Sequence, residues 1–325
     1  MTVNTLRPTR IRTAPALAVT ALMGALAAVQ ARINGQLGVR LGDGFAAASI
    51  SFGSGLVILA VLSVALPEGR RGVRTLVDGV RVGRIPWWML LPGVAGALTV
   101  ATQGLAVGII GVALFTVGFV AGQVVFGLVL DRVGFGPGGV VAVTLPRLIG
   151  GLMALAAVGI SLSAGSVGAV RWWLLILPFL AGVGVAWQQA ANGQLRARLG
   201  SALTTTLMNF LSGTVALLIV TVAHAVVVGP PAAPPREWWL YLGGSLGVIY
   251  IFVAANLVAH TGVLLLALGS VAGQLAMSVV LDAAWPTPAS PGLAPELTMV
   301  AVALASVVVA SVPWGRRRRG IAADR

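Results

Sequence analysis

Apolar residues run through this chain in long blocks, each broken by glycine, proline or arginine. A bilayer-spanning helix needs about 20 mostly apolar residues. Runs of that length fall at roughly 14–33, 45–66, 86–107, 109–130, 139–163, 171–192, 202–228, 237–259, 261–283 and 295–314, so the pattern predicts ten transmembrane helices. The eighth and ninth are divided only near His260, Thr261 and Gly262, the weakest of these boundaries. The polar/apolar alternation of a membrane β-barrel is absent.

The polar interruptions carry a second pattern. "QARINGQLGVRLG" at 30–42 returns as "QQAANGQLRARLG" at 188–200, identical at eight of thirteen positions. "GFVAGQVVFGLVLD" at 118–131 returns as "GSVAGQLAMSVVLD" at 269–282, and "PWW" at 86–88 is matched by "EWW" at 237–239. The chain therefore reads as two homologous halves, 14–163 and 171–314. Each half holds five spans, and an odd number makes the second copy enter the membrane from the opposite side. The expectation is an all-α membrane protein of ten transmembrane helices in two inverted five-helix repeats. Inverted repeats are a recurrent build of secondary transporters, with substrate bound near the midplane between halves.

Composition agrees with a membrane class: 58% of residues are hydrophobic, 9% are charged and the mean hydropathy is +0.99, against about 25% charged residues in soluble domains. All 21 basic residues are arginine and they lie between apolar runs, which suits topology better than a nucleic-acid footprint. With the N-terminus inside, only Arg32, Arg40, Arg171 and Arg236 fall outside, so both termini are expected in the cytoplasm of a bacterium, as basic tails at 1–13 and 315–325. Arg7, Arg10 and Arg12 before an apolar run also resemble a signal peptide. The internal copy at 171–192 favours a retained span instead.

Candidate chemistry is amide chemistry. Gln30 and Asn34 are four residues apart, as are Gln188 and Asn192, so each pair shares a helical face. Each amide in a span needs a hydrogen-bonding partner, which makes these residues candidates for substrate binding. The other reading is a helix end: Asn34–Gly35 and Asn192–Gly193 suit a C-cap better, whereas Gln30 and Gln188 stay open between the two. Gln123 and Gln274 follow GxxxG motifs, Gly118/Gly122 and Gly269/Gly273, whose glycines point to helix packing. Both glutamines are expected near the bilayer centre, as pathway lining or as interhelical bonds.

Trp187 is a candidate cavity wall or a lipid-facing residue, while the paired tryptophans opening spans are interface anchors. Asp131, Asp282 and His260 are candidate coupling groups. The two aspartates close their spans, where the dipole of their own helix does not favour a carboxylate. Arg147 reads as a snorkelling residue at the cytoplasmic face.

Ten spans as five plus five, with "QxxxNGQLxxRLG" closing the first helix of each half and "SFxSG" or "NFxSG" opening the next, resemble the drug/metabolite transporter superfamily. Within it the chain is similar to the YdcZ-type family, as a fused double-length member. That resemblance implies an inner-membrane exporter of a small organic metabolite or drug-like solute, working by alternating access. No cofactor and no metal are called for, and the chain lacks a GxxxxGK[ST] loop or a catalytic constellation, so it does not read as an enzyme. The expected partners are a small-molecule substrate and the lipid bilayer, not nucleic acid, with room left for a homodimer. The alternative is a non-transporting scaffold or accessory subunit whose glycine-rich faces bind other helices.

Overall fold

The computed structural model describes residues 13–135, 140, 144–146, 148–153, 156, 173–286 and 293–311, with side chains undescribed at 13–17, 131, 173, 175, 254–269 and a few positions of the last helix. The described elements are helical: α1 Thr13–Leu41, α2 Gly44–Ala65, α3 Pro67–Arg81, α4 Pro92–Thr102, α5 Val112–Val133, α6 Trp173–Leu199, α7 Ala202–Val228, α8 Gly243–Ala284 and α9 Leu293–Ser311. Four stretches are long and apolar enough to cross a membrane: Gly44–Ala65, Trp87–Ile110, Val112–Leu130 and Ala202–Val228. Shorter apolar helices occupy Trp238–Val253, Ser270–Ala284 and Leu293–Ser306. The expected fifth span lies mostly outside the described residues.

Three local readings are corrected or extended. First, α1 and α6 do not end at their Asn-Gly pairs. Both run on to the final leucine of the repeated motif, and the left-handed glycines are Gly42 (φ 62°) and Gly200 (φ 67°). Glycine is the residue that a left-handed helix end requires. The residue after each of these glycines caps the next helix. Asp43 accepts from the N–H groups of Phe45 (2.8 Å) and Ala46 (3.1 Å), and Ser201 accepts from Thr204 (3.3 Å).

Second, the arginine-rich segment between the second and third predicted spans is itself helical. It forms α3, in which Gly69, Gly72, Val73, Leu76 and Gly79 face inward at helical spacing and the arginines face out. Pro67 opens it, Glu68 lies in its first turn and Arg81 in its last, all favourable to the helix. Gly69 and Gly72 let it lie directly on Ser63 of α2 and on Ser201 and Thr204 of α7.

Third, the boundary between the eighth and ninth runs is not a loop but a reversal within one helical element. Residues 243–284 are helical throughout, yet the chain doubles back: the Tyr250 hydroxyl lies 3.2 Å from that of Ser270. In a straight helix, residues twenty apart would be about 30 Å distant. Gly243 and Gly247 meet Asn34 and Gln30 in antiparallel order, whereas Gly273 meets Ala21 and Trp285 meets Arg32 in parallel order. Two arms of α8 thus embrace α1.

The same arrangement recurs around α6. Gly96 of α4 lies against Gln188, and Gly122 of α5 lies against Phe179. Gly24 of α1 meets the backbone of Ser270 and Gln274, while Gly182 of α6 meets that of Phe119 and Gln123. These partners are shifted by 158 residues in one element and 151 in the other, the offsets of the sequence matches. The cores repeat too: Leu37, Leu41 and Leu240 cluster as Leu195, Leu199 and Met89 do. At the crossings of Gly24, Gly122, Gly182 and Gly273 a Cβ would collide with backbone, so the helices approach as closely as membrane helices can.

Candidate functional site

Three polar clusters lie inside this bundle. The first joins α1 to the segment after α4. Gln103–Val107 is a turn of π-helix, a feature that widens a helix locally and is frequent at functional sites. It aims Gln103 at α1, where the Asn34 side-chain amide donates to Gln103 Oε1 at 2.7 Å, both groups being buried. Ser51 of α2 and Gly243 of α8 close over Asn34, and the Gln30 amide rests against Gly247. Among the described residues, Asn34 Oδ1 and Ser51 Oγ are buried without a hydrogen-bond partner.

The second cluster occupies the matching positions of α6 and α7. Asn209 Oδ1 accepts from Gln188 Nε2 (2.9 Å) and from Asn192 Nδ2 (3.0 Å), and Gln188 rests against Gly96. Here Asn192 Oδ1 and Asn209 Nδ2 are the buried atoms left without partners among the described residues. Between the two clusters, Phe52 and Phe210 meet with ring centroids 5.0 Å apart. Gly55 and Gly213 make room for them, and the tip of each ring approaches Gly96 or Gly247, where Gln188 and Gln30 also lie. The amides therefore flank an aromatic contact between α2 and α7.

The third cluster is charged. Asp282, at the end of α8, places one carboxylate oxygen 2.9 Å from the Val112 N–H and the other 2.6 Å from the Ala113 N–H, capping α5 from 170 residues away. Gly111, with φ 83°, frees this helix start from the preceding turn. Arg32 Nη1 lies 3.9 Å from Asp282 Oδ1, and Arg32 Nη2 donates to the Trp285 carbonyl at 2.6 Å. Both side chains are almost wholly buried, at 9% and 1% exposure. The dipole objection to Asp282 is corrected by this geometry: the carboxylate faces the positive end of another helix, which stabilises it.

The remaining candidates are dispersed. Gln123 is half-buried on α5 and donates to Gln189 Oε1 at 3.3 Å, toward the exposed side of α6; Gln274 is buried on the arm of α8 facing α1. Trp187 is half-buried on α6. Gly118 lies against Pro178, and Gly122 and Gly273 make the backbone crossings described above. The side chains of Asp131 and His260, together with Gly269 and Arg147, lie outside what the structure describes.

Four residues of the interior stand out only in three dimensions. Gln103 is legible in sequence only as a lone amide in an apolar run, and Asn209 only as part of "NFxSG". Arg32, an outside charge by topology, is a buried arginine within a helix. Glu296 is a carboxylate buried to 2% exposure on α9. Both are ionisable groups within apolar runs, the signal that ordinarily marks function in a membrane.

Residues 15–160 and again 173–311 match the family model described as "Putative inner membrane exporter, YdcZ". The chain belongs to the YdcZ family. It is thus a multi-pass inner-membrane protein of a transporter family within the drug/metabolite group, and not of an enzyme family. A search of curated proteins finds no match. A solved structure described only as "Crystal structure of protein" is similar, with a TM-score of 0.50 and 18% identity over 92% of this chain and 96% of that one. At that identity the likeness concerns the fold alone.

Proposed function

We propose that this YdcZ-family protein is a secondary exporter of a small, uncharged, hydrogen-bonding organic solute. It works by alternating access between two inverted halves, 14–163 and 171–314, with both termini in the cytoplasm. The observation that carries the substrate class is the pair of amide clusters at matching positions. Asn34, Gln103 and Ser51 on one side, with Gln188, Asn192 and Asn209 on the other, hold four buried polar atoms without partners among the described residues. A buried polar atom left unpaired costs about 1–3 kcal/mol. A solute with its own donors and acceptors recovers that cost, and an apolar solute does not. Both amide and carbonyl groups are unpaired, which suits a ligand carrying both functions, and neither cluster offers a full charge to balance an ion.

Alternating access is supported by the recurrence of the contacts around α1 and α6, since two equivalent packings are what the exchange of inner and outer openings requires. Gln30 and Gln188, resting on glycines of the opposing arms, stand in this reading where those arms slide. The test is flux into proteoliposomes, screened over neutral amides, polyols, nucleobases and amino acids, beside an Asn192→Leu variant. Concentration-dependent, saturable uptake lost in the variant supports the assignment. Folded protein that moves and binds none of these solutes favours the scaffold reading, because a carrier gains thermal stability from its ligand.

A further inference from the structure

We infer that Arg32, Asp282 and the first turn of α5 form a charged latch holding the bundle shut on the face of the α1–α2 turn. The inference rests on the alternating-access reading above. Three elements that must separate for that face to open are tied by one carboxylate: α8 through Asp282, α5 through the Val112 and Ala113 N–H groups, and α1 through Arg32. Arg32 adds a second tie to the Trp285 carbonyl, just past α8. The guanidinium also keeps one buried nitrogen, Nη1, without a hydrogen bond among the described residues, so the pair is not fully engaged. An ion pair that is buried but incompletely bonded is strong while water is excluded and easily exchanged once water arrives.

The sequence match repeats the carboxylate of the latch but not Arg32 at its matching position. Position 282 has its counterpart in Asp131, but the counterpart of Arg32, 158 residues on, is Ala190. Arg132 instead adjoins Asp131, whereas Asp282 is followed by Ala283, so the duplicated sequence places its arginine differently relative to each carboxylate. The latched face is the outer one under the arginine distribution of the loops, and the resting protein then favours opening toward the cytoplasm, where an exporter takes up its load.

The chain contains no cysteine, so a single introduced thiol reports without background. Thr116, fully buried one turn below the capped end of α5, is the reporter position for the latched face; Leu195, fully buried beside Ile85 and Met89, is the reporter position for the other end. Thr116→Cys and Leu195→Cys are each combined with Asp282→Asn and labelled with a membrane-impermeant maleimide in intact cells and in inverted vesicles, with Arg40→Cys marking the side of the α1–α2 turn. Losing one charge-assisted bond corresponds to about a tenfold or greater rise in opening. The expected result is faster labelling of the thiol at position 116 by that factor, from the Arg40 side only, with the thiol at position 195 unchanged. Unchanged labelling at position 116 overturns the latch, and so does equal acceleration at both reporters, which marks a general loss of stability. Arg32→Gln, which leaves the α5 cap in place, gives the same readouts if Asp282→Asn accumulates poorly. Labelling needs no solute: a protein that labels as expected but transports nothing keeps the latch and sinks the carrier, and active flux with unchanged labelling does the reverse.

Discussion

Replacing Asn209 with leucine removes the acceptor shared by Gln188 and Asn192 while roughly preserving volume. Two N–H groups, one on the buried Gln188 and one on the half-buried Asn192, now 2.9 and 3.0 Å from that acceptor, lose their bonds. At about 1–3 kcal/mol per stranded group the loss is about 2–6 kcal/mol. Against it stand the removal of Asn209 Nδ2, itself unpaired, which returns about 1–3 kcal/mol, and the burial of extra apolar surface, worth about 1 kcal/mol. The net expectation is a destabilisation of about 1 kcal/mol, and of about 2 kcal/mol if each stranded group costs the upper figure. SDS-induced unfolding of purified protein, with and without transported solute, measures it. Asn209→Ser supplies the residue found at the matching position, Ser51, and should fall between wild type and leucine. An Asn209→Leu protein as stable as wild type would refute the reasoning, because the amides would then have other partners.

The glycines give sharply divided expectations. Gly24→Ala and Gly182→Ala drive a Cβ into the backbone of Ser270 or Phe119; overpacking of this kind costs about 1–3 kcal/mol, visible as lower recovery of monodisperse protein by fluorescence-detected gel filtration. Gly53→Ala, helical and open to space, should raise the unfolding free energy by up to about 1 kcal/mol, read as a higher midpoint in SDS. Asp43→Ala removes the cap of α2 and the partner of His224, 3.1 Å away; a cap is worth about 0.5–2 kcal/mol, measured by the same titration. Neutralising Arg70, Arg71 and Arg74 on α3 should weaken the affinity of the protein for anionic vesicles by about 1 kcal/mol per residue, followed by lipid-dependent thermal stabilisation.

Long apolar runs and a duplicated motif are legible in the sequence because both depend on local composition. α3 is not, since its apolar positions are interleaved with arginines and it is too short to span. The reading of Asn34–Gly35 as a cap fails because two glycines of the motif can both end a helix, and packing on the π-turn at Gln103 carries α1 past the first. Sequence sets Asp282 against its own helix, whereas its partner is the start of α5, and no spacing in the chain announces a cap supplied from 170 residues away. Arg32 illustrates a different loss: an arginine near a helix end is ordinarily a topology signal, and only burial against Asp282 distinguishes it.

The embrace of α1 by the two arms of α8 sets a timetable for biogenesis. Gly24 leaves the ribosome 246 residues before Ser270, its partner. At about 5–20 residues per second, α1 waits in the membrane for tens of seconds before the helix it crosses has been made. Asn34 meets Gln103 after only 69 residues, but Arg32 waits for Asp282, 250 residues on. The order of synthesis thus leaves one buried charge without its partner until nearly the whole chain has been made, an interval set by the speed of translation.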